Sequence, residues 1–99
     1  MWNNQGVQKM FSEYGHRICA IALNNGKQLL IDYPGKDCVR LEDITFDTID
    51  GCDVMKIEHR NNSYGHELRF TSYVTTEFIE NIIIMSEEDA KYRIDPLVL

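Results

Sequence analysis

The chain is poor in basic residues. Ten Lys and Arg stand against sixteen Asp and Glu, a formal net charge of −6. The basic residues are scattered singly, so no stripe able to neutralise a row of phosphates can be read. That argues against direct nucleic-acid binding and leaves an acidic surface suited to a basic partner. No leader with a basic start and an apolar run is seen. No apolar stretch, Ile82–Met85 included, approaches the roughly 20 residues that cross a bilayer. Membrane contact is therefore not expected. Three widely spaced cysteines, Cys19, Cys38 and Cys52, are an odd number and fit reduced thiols better than a disulfide framework. A cytoplasmic location is the natural expectation.

Catalytic grammar is equally scarce. Ser12, Ser63, Ser72 and Ser86 lack a Gly-x-Ser-x-Gly elbow, and no basic residue can be placed beside either turn-proximal thiol, Cys38 or Cys52. Gly26, Gly35, Gly51 and Gly65 are isolated turn glycines, not a phosphate-cradling loop that opens a helix. The calcium-loop alternation Asp-x-Asp-x-Asp-Gly is missing. No repeat and no low-complexity segment is present. These absences leave no expected cofactor and no metal, and they weigh against an enzyme.

What the sequence has is the composition of one globular domain over 1–99. Hydrophobic residues make up 43% and ten side chains are aromatic, enough for one modest core. Val7, Met10, Phe11 and Tyr14 recur at helical spacing; Asn3 or Asn4 can cap the start and Gly15 can end the helix. Ile18–Leu23 and Lys27–Tyr33 flank Asn25-Gly26, a favoured hairpin turn that would pair Ala22 with Leu29 and Ala20 with Ile31. If Asn24 joins a three-residue loop, that register shifts. Tyr33-Pro34-Gly35-Lys36 suits a type II turn, followed by a short strand around Cys38–Leu41.

The strongest pattern comes next. Ile44 and Phe46 precede Asp50-Gly51, Met55 and Ile57 follow it, and Leu68 and Phe70 come after the loop at 61–65. A turn centred on Asp50-Gly51 pairs Phe46 with Met55 and Ile44 with Ile57. Carried across the second loop, the same face pairs Met55 with Phe70 and Ile57 with Leu68. A single apolar face then runs through three strands. Beyond it, 75–78 reads as one helical turn, Asn81–Met85 as a buried strand, and Ser86 with Asp89 as a capping box for a short helix to Tyr92. Asp95-Pro96 ends that helix.

The expected class is α+β, mainly antiparallel β, with an N-terminal helix and a short C-terminal one. The order of elements, with a helical turn at Thr76–Ile79 before the last strand, is similar to small SH3-like or Sm-like barrels. That resemblance implies a barrel or a curled meander sheet. The Gly-containing signature of the Sm family is not visible, and architecture alone implies no activity.

Candidate sites follow from the register. His59 and His66 face each other on the core side, two ligands where a structural zinc site needs more. Asp47, Asp50 and Asp53 surround a hairpin tip, but Asp50 has a turn role and the other two point to opposite faces. Arg60, Tyr64, His66 and Arg69 are candidates to hold an anionic or aromatic ligand, from a loop rich in the residues of recognition surfaces. Asp43, Asp47, Asp50, Asp53 and Glu58 are candidates to meet a basic macromolecular surface. Trp2 and the apolar Leu97-Val98-Leu99 can serve self-association. The expectation is a non-catalytic, protein-binding module, an accessory or inhibitor protein; the alternative is a homo-oligomer that sequesters a small polar or anionic ligand.

Overall fold

A computed structural model describes residues 1–32, 37–63 and 65–93, without the side chains of 37, 38 and 61–63. The type II turn expected at 33–36, Tyr64, the Asp95-Pro96 stop, Leu97, Val98, Leu99 and the Cys38 thiol lie outside the described residues.

Helix α1 spans Asn4–Tyr14. Asn3 is its cap: the side-chain oxygen accepts the Gly6 amide at 2.8 Å, satisfying one of the donors a helix start leaves open. Gly15, at φ 44°, closes it, a left-handed turn that favours glycine. The face formed by Val7, Met10, Phe11 and Tyr14 packs on the core, with Val7 fully buried. Asn3→Ala should cost about 1 kcal/mol of stability, read as a lower denaturation midpoint with an unchanged denaturant slope.

Strands β1 (Ile18–Leu23) and β2 (Gln28–Leu30) form the first hairpin, and β7 (Ile79–Ile84) pairs the other edge of β1. The observed register sets Ile21 against Leu29 and Ala20 against Leu30. The expected pairs Ala22–Leu29 and Ala20–Ile31 are therefore wrong by one residue. The cause is the loop: Leu23 takes a bond from Gly26 and gives one to Lys27, so Asn24, Asn25 and Gly26 form a three-residue turn. Gly26 supplies its positive φ of 85°, the usual geometry of such loops. Ile21, Leu29 and Ile82 thus sit abreast on one face.

The second sheet holds β3 (Asp37–Cys38), β4 (Ile44–Ile49), β5 (Cys52–Ser63) and β6 (His66–Thr75). β6 lies along β5 from 54 to 63. β3, which pairs at 60–61, and β4, which pairs at 52–57, must therefore share the opposite edge of β5. The sheet is three strands wide. The first turn is as expected: Asp50 and Gly51 both have positive φ, and Phe46–Met55 and Ile44–Ile57 are partners. The second is not. Met55 pairs with Val74, and Ile57 with Ser72, because β5 runs on to Ser63 and turns in two residues, with Gly65 at φ 76°. The slip is four positions, an even number, so Leu68 and Phe70 keep their face but move past the end of the core. They are 41% and 53% exposed.

The strand expected over Cys38–Leu41 stops at Cys38, and Leu41–Asp43 forms a helical turn. The turn Thr76–Phe78 leads into β7, and α2 (Glu87–Ala90) is one turn capped by Ser86 on the Asp89 amide. Its early end corrects the expected reach to Tyr92. Side chains of both sheets and α1 meet in one core around Ile18, Ile21, Ile31, Met55 and Ile57. Phe11 meets Phe46 edge-on at 5.5 Å, which docks α1 on the second sheet. Among the described residues no strand belongs to both sheets. The architecture is two separate antiparallel sheets, and the closed barrel is not formed.

Candidate functional site

The acids around the β4–β5 hairpin divide into two groups. Asp53 points inward, where its carboxylate accepts the Asn4 amide at 2.9 Å and so holds the first turn of α1. Asp43 is also largely covered, its side chain 12% exposed and 3.6 Å from Arg60. Its second carboxylate oxygen has no hydrogen-bond partner among the described residues. Asp47, Asp50 and Glu58 are exposed. The Asp47 carboxylate accepts the neighbouring Thr48 amide, and its backbone carbonyl accepts the Asn4 side-chain amide at 2.8 Å; Asp50 shares the positive-φ turn with Gly51. Asp47 and Asp53 do lie on opposite faces, since Asp47 pairs with Val54, the residue next to Asp53 in β5.

The ligand candidates are brought together only in part. Arg60 and Arg69 are direct cross-strand partners, an arrangement that repels unless carboxylates or an anion compensate it. Asp43 lies beside Arg60, and Glu67 lies 3.8 Å from Arg69. His66 sits at the hairpin end opposite Ser63, one residue out of phase with the arginines and so on the other face. Tyr64 is outside the described residues.

The histidine pair does not form. His59 faces Phe70, while His66 faces Ser63, four residues further along β5. The cause is the same extension of the hairpin that displaced Phe70. His59 instead shares a short hydrogen bond with the Ser72 hydroxyl, a structural use at the margin of the core. Among the described residues no three His, Cys, Asp or Glu side chains gather to hold a metal. Trp2 packs against the core, and its ring lies 3.5 Å from where a Cβ on Gly6 would stand.

One concavity escaped the sequence reading. A cleft of about 520 Å³ lies between the C-terminal half of α1 and the 40–42 turn, lined by Phe11, Ser12, His16, Asp32, Arg40 and Leu41. Its volume is in the range of small-molecule sites. Two of its polar groups are already engaged: Asp32 accepts the Leu41 amide at 3.3 Å, and Arg40 pairs with Glu42 at 2.8 Å. Among the described residues no hydrogen bond links Ser12, His16 and Asp32, so they form no catalytic relay. The one local signal is Asp32 at φ 52°, a conformation that sequence does not announce for a non-glycine residue.

No helix among the described residues is long and apolar enough to cross a membrane. Comparison of the chain with protein-family models, with curated proteins and with solved structures finds no match, so its geometry alone speaks to its role.

Proposed function

We propose that the protein is a non-catalytic binding module that occupies a basic surface of another macromolecule, as an accessory or inhibitor. One observation supports this most. Of the five candidate acids, Asp47, Asp50 and Glu58 remain exposed, while Asp43 and Asp53 are occupied by the fold. The contact is thus narrowed to three carboxylates on one hairpin. Charges at such an edge steer encounter and set the salt dependence of binding. The test is capture from the native host's lysate on the immobilised chain, eluted in steps of salt. A variant carrying Asp47→Lys, Asp50→Asn and Glu58→Lys should release the captured partner at distinctly lower salt, with at least ten-fold weaker binding. Equal retention by the variant would exclude this contact.

A second reading draws on the Arg60–Arg69 pair. Two guanidinium groups on adjacent strands suit one small anion between them, which fits a homo-oligomer that sequesters such a ligand. Native mass spectrometry of freshly isolated protein separates the two. A retained anionic adduct, lost in Arg60→Gln, favours sequestration, and its absence counts against it.

A further inference from the structure

The outer edge of β6 is the longest unpaired edge in the protein among the described residues. It runs for ten residues, whereas β2, β3, β4 and β7 have at most six each. Proteins usually blunt such an edge with proline, lysine, a bulge or a covering segment. Residues 66–75 contain neither proline nor lysine, and ten successive pairs with β5 run without a bulge. Leu68 and Phe70, 41% and 53% exposed, stand on one face of this edge.

The backbone phase follows from the turn. Ser63 and His66 bracket a two-residue loop and form its hydrogen-bonded pair. The peptide groups of His66, Leu68 and Phe70 therefore point toward β5, and those of Glu67, Arg69 and Thr71 point outward. A second β6 laid antiparallel on this edge, related by a two-fold axis normal to the sheet, keeps each face with its own kind. The charges then select among registers. With Arg69 on the axis, two guanidinium groups meet. With Phe70 on the axis, Glu67 faces Tyr73 and Arg69 faces Thr71, so no charge is matched. With Leu68 on the axis, Glu67 of each copy faces Arg69 of the other. Leu68 meets Leu68, and His66 meets Phe70. The added carboxylate also offsets the repulsion between Arg69 and Arg60 within each chain.

We propose that two copies of this chain join by antiparallel pairing of their β6 edges, centred on Leu68 and fixed by two reciprocal Glu67–Arg69 ion pairs. This dimer does not rest on the basic-surface reading, whose acids it leaves untouched. Analytical ultracentrifugation over a concentration series, with far-UV circular dichroism as a check on folding, tests it. The natural chain should show a reversible monomer–dimer equilibrium. Glu67→Arg and Arg69→Glu should each weaken it at least ten-fold. An equimolar mixture of the two variants should restore the dimer, since one copy then offers two acids and the other two bases at facing positions. In a Cys52→Ser background, Leu68→Cys should form an interchain disulfide under mild oxidation, because non-hydrogen-bonded antiparallel partners have Cα atoms about 4.5 Å apart. Phe70→Cys should cross-link no more than the background. A monomer throughout the series, single variants that dimerise unchanged, a mixture that stays monomeric, or preferential cross-linking through position 70 would each overturn the proposal.

Discussion

Ile21→Ala should lower the free energy of unfolding by about 4 kcal/mol, within the range for removing a buried isoleucine. Ile21 has no solvent exposure. It sits on the central strand of the first sheet, between Leu29 and Ile82, so neither flanking strand can close the void by shifting independently. Domains of this size are stable by roughly 5–15 kcal/mol; the single change would remove a large part of that. Leu30→Ala provides the comparison. Leu30 belongs to the same hairpin but is 44% exposed on the opposite face, and its loss should cost about 1 kcal/mol. Urea denaturation of the two variants measures both. Equal midpoints would mean that the faces of this hairpin have been assigned wrongly.

Arg93→Met should cost about 2–3 kcal/mol, a large effect for a residue near the surface. The Arg93 guanidinium donates to the carbonyls of His16 at 2.7 Å, Ile18 at 2.8 Å and Ile31. These lie where the helical turn after α1 enters β1 and where the chain leaves β2. One planar donor thus satisfies three acceptors from two neighbouring segments. Methionine retains much of the apolar stem but leaves those carbonyls to water or to nothing. Lysine keeps the charge without the fork, so Arg93→Lys should fall between the natural chain and Arg93→Met. A methionine variant with an unchanged midpoint would show that the three bonds contribute nothing net.

Local signals in the sequence were dependable where one residue type fixes one backbone geometry. Asn3 as cap, Gly15 as terminator and the Asp50-Gly51 turn all stand where their chemistry places them. The four apolar residues flanking that turn pair accordingly. Legibility failed where two turns competed over a few residues. Asn24-Asn25-Gly26 supports a two- or a three-residue loop, and Gly26 can serve either. The segment 61–65 reads as a loop by composition, yet β5 runs on to Ser63 and β6 begins at His66, with Gly65 at positive φ between them. Since side chains alternate every residue, an odd slip reversed the first hairpin and an even slip only slid the second.

The candidate site was half legible for the same reason. Partnership across Asp50-Gly51 predicted which way Asp47 and Asp53 point. The long reach of Asp53 to Asn4 and of Arg93 to Ile31 depends on how distant elements stack, which no local pattern encodes. The cleft beside α1 is of that kind too, because Ser12 and His16, Asp32, and Arg40 come from three separate stretches of chain.

The pairing of Ile18 with Ile84 also bears on how the protein is made. On the ribosome, β1 emerges dozens of residues before β7 and must wait with one side uncovered. The β4–β5–β6 meander, whose contacts are local, can assemble first and offer its apolar face as a template. Chains stalled between those stages would display the Ile18–Leu23 run to their neighbours, which makes slow translation or a missing chaperone the condition most apt to precipitate this protein.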